Sequence, residues 1–115
     1  FKDYLNNLNL MNDNIINLDN YINDKVDLII YNLGYLPKAN DVRITIANET
    51  VISFKKAMSL IKDNDYIVIT FYIGHKGGKD EYYLLDKYIK DNKLNIIETY
   101  HQDRIDSPIT YIINF

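Results

Sequence analysis

Val26-Asp27-Leu28-Ile29-Ile30-Tyr31 followed by Asn32-Leu33-Gly34-Tyr35-Leu36-Pro37 is the stretch that decides the fold. A nearly continuous apolar run, preceded by charges and closed by glycine and proline, reads as a strand buried on both faces, as in a parallel sheet. Tyr66 to Ile73 is a second such run, broken only by Thr70 and ended by Gly74-His75-Lys76-Gly77-Gly78. Between the two, a loop is expected to about Ala47. A helix then carries Val51, Phe54, Met58 and Ile61 on one face, with Asn48 as N-cap and Glu49 in its first turn. Lys79 to Asp91 reads as another helix, with Tyr82, Leu85, Tyr88 and Ile89 inward. Strands at 94–100 and 109–115 follow with no helix between them. Upstream, Phe1, Tyr4, Leu5 and Leu8 have helical spacing, and a weak strand is expected at 14–18. Alternating strands and helices imply an α/β domain with a mostly parallel, three-layer sheet. The final pair of strands makes one member antiparallel.

The chain has 115 residues, 47% hydrophobic and 25% charged, which suits one domain with a real core and excludes general disorder. It lacks cysteine, so thiolate metal sites, disulfides and a cysteine nucleophile are excluded. Two histidines cannot make a multi-histidine zinc site. The net charge of -3 gives no overall attraction to nucleic acid and leaves that role to a local basic face. No apolar run is long enough to span a bilayer and no signal peptide is visible, so a cytoplasmic location and no membrane partner are expected.

Ligands of open parallel sheets bind beyond the carboxyl ends of the strands. The four glycines of the chain all fall in the two loops at that edge. Either loop alone is explained as a turn; both at one edge point toward a site. Asn32 offers an amide acceptor and donor there. With the Leu33 main-chain carbonyl it is suited to hold an amino group and orient its lone pair. Tyr35 is suited to stack on a planar base, or is one more tyrosine of the core and rim. His75 is a candidate site residue, or a loop residue bonding its own turn. Glu49 and Thr50 are explained by capping. Lys76, Lys79, Lys87, Lys90 and Lys93 interleave with acidic residues and read as a solvated face.

Together, Asn32-Leu33-Gly34-Tyr35-Leu36-Pro37, Glu49-Thr50 and Tyr72-Ile73-Gly74-His75-Lys76-Gly77-Gly78-Lys79-Asp80-Glu81 resemble the small class I S-adenosylmethionine-dependent methyltransferases long described as putative rRNA methylases. The resemblance runs from about Val26 to the C-terminus. It implies a Rossmann-like class I methyltransferase fold whose last strand is antiparallel. It implies S-adenosylmethionine as cofactor and tRNA as partner, with the aminomethyl group of the wobble uridine as methyl acceptor. Carried residue by residue, it makes Asn32, Leu33 and Tyr35 catalytic, with Asn32 and Leu33 also toward the cofactor. Gly34, Leu36, Pro37, Lys38, Arg43, Thr45, Glu49, Thr50, His75, Gly77 and Gly78 become substrate-binding.

The chain departs from the family in three places. Lys38-Ala39-Asn40-Asp41 stands where two glycines follow Leu-Pro, and the Asp-Ser-His segment after the third strand is missing from the shorter region 12–22. Neither a Gly-x-Gly loop after a first strand nor an acidic residue ending a second is present. The chain is therefore expected to be a partial domain lacking the first βαβ cofactor-binding unit and the N-terminal strands. Alone it is expected to bind the cofactor weakly or not at all, and to self-associate as a homo-oligomer through an exposed sheet edge. An rRNA or adenine-N6 methyltransferase, or a non-catalytic remnant serving as an interaction module, are the alternative readings. Lys38, Arg43, Lys76 and Lys79 are the cations nearest the expected site.

Overall fold

Ile67, Ile69, Phe71 and Ile73 are buried while Tyr66, Val68, Thr70 and Tyr72 are not, and this period-two burial orients the sheet. The computed structural model describes residues 15–33, 43–74 and 77–115. Their elements are β1 (Val26–Leu33), α1 (Arg43–Leu60), β2 (Ile61–Phe71), α2 (Gly78–Asp91), β3 (Asn95–His101) and β4 (Ile109–Asn114), preceded by a 3-10 helix at Ile15–Asn20. The sheet order is β1-β2-β4-β3. β1 and β2 are parallel, and β4 is antiparallel to both of its neighbours, so three strands share a direction and the last one opposes them. The α/β class and the antiparallel last strand are as the sequence implied.

Both helices cover the same face. Phe54 of α1 packs on Tyr31 of β1 and edge-on against Tyr88 of α2. Tyr82 of α2 meets Phe71 of β2 with ring centroids 5.0 Å apart. Leu85 and Ile89 complete this core with Ile109, Tyr111 and Ile113 of β4. The opposite face bears no helix among the described residues. Leu28 and Ile30 are 52% and 63% exposed there, so among the described residues β1 is covered on one face, where the sequence pointed to two.

Three local expectations are corrected. Residues 15–20 form a 3-10 helix rather than a strand. Asparagine and aspartate favour such turns, and the Lys56 ammonium holds this one, donating to the Ile16 carbonyl at 2.5 Å and to Asp19 at 3.0 Å. Helix α1 begins at Arg43, so Asn48 is not its N-cap and Glu49 and Thr50 lie well inside it. The buried stripe is Ala47, Thr50, Ser53, Phe54 and Ala57; its two small hydroxyl residues conceal the apolar period in the sequence. Their polarity is satisfied internally, with Ser53 Oγ donating to the Thr50 carbonyl at 2.8 Å. Finally, β2 starts at Ile61, with a register shift before the regular pairing of Leu28 with Tyr66. Asn64 relieves it with a φ of 69°.

Candidate functional site at the carboxyl edge of the sheet

Asn32 and Leu33 end β1, opposite Thr70 and Phe71 of β2. Alternation separates them: Leu33 is turned into the core and Asn32 is exposed on the uncovered face. The Leu33 carbonyl accepts the Tyr72 amide hydrogen at 2.7 Å, which carries parallel pairing one step past β2. One of its lone pairs is thereby committed, and the Asn32 carboxamide is the open polar group of the pair. The Tyr72 hydroxyl donates toward Asn32 Oδ1 at 3.5 Å, placing a phenol and an amide side by side at the strand ends.

Tyr72 is fixed from behind by α2. A Cβ on Gly78 would lie 2.2 Å from the Tyr72 carbonyl oxygen, so only glycine permits this approach. Gly77 turns the chain into the helix with a φ of 87°. Gly74 lies against the β3–β4 connection, where its Cβ would stand 3.1 Å from the Asp106 carbonyl oxygen. The glycines at 74, 77 and 78 thus serve close packing and a left-handed turn, and the result is a tightly held wall beside Asn32.

Thr50 and Glu81 lie beneath that wall, 3% and 4% exposed. The Thr50 hydroxyl donates to Glu81 Oε2 at 2.6 Å and ties the middle of α1 to the first turn of α2. Thr50 is therefore a buried linking residue rather than part of an open substrate rim or a cap. Glu49 is half-buried in the same helix. Arg43 and Thr45 belong to the first turn of α1. Gly77 and Gly78 form the entry to α2, and Lys79 is exposed next to them. Gly34, Tyr35, Leu36, Pro37, Lys38, His75 and Lys76 lie outside the described residues. The remaining lysines of α2 behave as a solvated face, with i,i+4 pairs Lys87–Asp91 and Lys90–Asp86.

Tyr72 and Glu81 stand in the motif strings, yet residue types alone give neither of them a role. Tyr72 is placed by register, since it follows Phe71, the strand position paired with Leu33, and that register is known only from the fold. Glu81 carries no such signal: it sits among Lys79 and Asp80 and is one of a charged run until the helix turns it inward.

A polar strip continues across the uncovered face, where Thr70 and Thr110 hydroxyls are 2.9 Å apart. Beyond it Tyr100, His101, Gln102, Pro108 and Thr110 line a cavity of about 370 Å³. Another cavity, of about 410 Å³, lies between α1 and α2 around Val51, Ile52, Leu84 and Tyr88, away from the strand ends. Among the described residues no group of three or more His, Asp or Glu side chains is placed to hold a metal ion, and no helix is long and apolar enough to cross a membrane.

Comparison with known proteins matches this architecture. The chain aligns at 35% identity over 66 residues with the chloroplastic tRNA (mnm(5)s(2)U34)-methyltransferase of Arabidopsis thaliana, a segment that is 57% of this chain and 24% of that protein. A crystal structure of a putative rRNA-methylase from Clostridium thermocellum superposes with a TM-score of 0.77 at 26% identity, over 98% of this chain and 63% of that one. A putative methyltransferase from Streptococcus mutans, solved in complex with SAH, shares the fold with a TM-score of 0.70 at 24% identity, over 98% of this chain and 66% of that one. The chain thus spans less than two thirds of the first of these solved structures and about a quarter of the plant enzyme. The family described as "Putative rRNA methylase" matches residues 2–114, and the chain belongs to that family.

Proposed function

We propose that the chain is an S-adenosylmethionine-dependent RNA methyltransferase or the C-terminal portion of one, and that its acceptor is the aminomethyl group of the tRNA wobble uridine. The observation that carries this reading is the exposed Asn32 carboxamide at the carboxyl end of β1, beside the Tyr72 hydroxyl. Family membership supports the methyltransferase class, and the plant relative supports the tRNA acceptor.

The residues described fit only the neighbourhood of the reacting methyl group. They offer an amide and a phenol at a strand end. No glycine-rich loop after a first strand, and no acidic residue placed for a ribose, is among them. Bound S-adenosylmethionine supplies an electrophilic methyl group. This chain's part is to present a neutral amine to it. In this reading Asn32 Oδ1 accepts one amine N–H and so fixes the direction of the nitrogen lone pair, and the Leu33 carbonyl, which already accepts the Tyr72 amide hydrogen, accepts a second. Displacement needs that lone pair in line with the breaking bond, so orientation supplies much of the rate. Tyr72, held by the Leu33 carbonyl and by Gly78, keeps the amide from turning away. Tyr35 would contact the base, and Arg43 and Lys38 its phosphates.

The test is methyl transfer by the full-length gene product to tRNA lacking the terminal methyl group, with rRNA and DNA beside it, read by nucleoside mass spectrometry. The reading expects a methylated wobble nucleoside in tRNA alone. Methylation of rRNA or of adenine instead would replace the acceptor. No transfer to any of the three would remove the enzymatic reading.

A further inference from the structure

The geometry points to a nucleobase-binding subsite at the β3–β4 end of the sheet, separate from the amine site at Asn32. This inference rests on the RNA methyltransferase reading and adds to it where a second base of the strand is held. Tyr100, His101, Gln102, Pro108 and Thr110 line an open cavity of about 370 Å³, within the range of small-ligand sites. Tyr100 is 57% exposed, so its ring has an open face. The chemistry suits a base: an aromatic plane for stacking, with the Thr110 hydroxyl on the strand position paired with Tyr100 and the Gln102 amide beside it to meet the polar edge.

The cavity is built on a held loop. Ser107 is fully buried, and its hydroxyl lies 2.8 Å from the Arg104 carbonyl and 3.0 Å from the Gln102 carbonyl, donating between them. The Ser107 amide also donates to the Arg104 carbonyl at 3.1 Å. Gly74 packs on Asp106 from the other side, joining this loop to the wall behind Tyr72. A held loop loses little freedom when a ligand binds.

The subsite and Asn32 are correctly spaced for one strand of RNA. Asn32 pairs with Thr70, Thr70 with Thr110, and Thr110 with Tyr100. Three strand spacings separate them, about 14 Å, a distance that a short run of unstacked nucleotides covers. The intervening strip is polar, with Thr70 and Thr110 bonded to each other. The loop itself carries Asp103 and Asp106 against Arg104 and is not basic. Recognition there is by stacking, not by phosphate attraction.

The experiment is fluorescence anisotropy of labelled oligouridylate with the full-length gene product, its Tyr100→Ala and Tyr100→Phe variants, across a salt series. Tyr100→Ala should weaken binding about tenfold, and Tyr100→Phe should bind within about twofold of the parent, because the aromatic plane is kept. The salt slope should be the same in all three. Parent-like binding by Tyr100→Ala, an equal loss in Tyr100→Phe, or no oligouridylate binding by a parent that methylates tRNA would each overturn the subsite and leave the methyltransferase reading standing. A parent that neither binds oligouridylate nor methylates any RNA removes both.

Discussion

The two faces of one sheet have opposite characters. Toward the helices, β1 and β2 present Tyr31, Leu33, Ile67, Ile69 and Phe71, all buried. Away from them the same strands present Leu28, Ile30, Asn32, Tyr66, Val68 and Thr70, all exposed or half-exposed. The first face holds the fold together. The second is free to carry polar groups, and at the carboxyl edge it does. Alternation is thus what lets a core leucine and an open asparagine be sequence neighbours at Leu33 and Asn32.

The comparison breaks most readily in the core. Phe54 is fully buried between β1 and α2. Phe54→Ala should cost about 3–5 kcal/mol in denaturant unfolding, whereas Ile30→Ala on the other face should cost under about 1 kcal/mol. Equal losses would mean that the second face is covered in solution. Below that in size lies the link under the site. Thr50→Val removes a buried hydroxyl that donates to a carboxylate, and should cost about 2 kcal/mol. An unchanged unfolding midpoint would mean that the Thr50–Glu81 bond holds nothing.

The smallest effect is at high pH. The Tyr111 hydroxyl donates to Asp86 Oδ1 at 2.6 Å and lies 3.1 Å from the Tyr82 hydroxyl. Burial first, then the bond to Asp86, raises its pKa well above the usual 10.0. The folded protein therefore keeps a proton that the unfolded chain loses as pH rises past 10. Stability from this group is complete below pH 10 and declines above it. In Tyr111→Phe the alkaline fall in melting temperature should be shallower by a few degrees. A fall as steep as the parent's would assign it to other groups.

Much of this was legible in the residues because it depends on period. Tyr66–Ile73 and the helix at Lys79–Asp91 announce themselves by runs and by i,i+3/i+4 spacing. The start of α1 does not, because Ile44-Thr45-Ile46 are β-branched and weak helix formers, and its buried stripe is masked because Thr50 and Ser53 have hydroxyls satisfied only after folding. Asn32 was legible as a polar residue at a strand end. The Tyr72 contact was not, since it depends on the register between β1 and β2. Nor was the cavity beside Tyr100, which needs β4 inserted between β2 and β3.

The central claim is that the Asn32 carboxamide orients the methyl acceptor. Its most direct test is Asn32→Ala in the full-length gene product, with single-turnover methyl transfer to tRNA and cofactor affinity measured together. Asn32 is exposed, so the variant should fold as the parent does. The account expects a loss of about 3 kcal/mol of transition-state stabilisation, roughly a hundredfold in rate, with melting temperature unchanged. Near-parent turnover with parent-like cofactor affinity would contradict it.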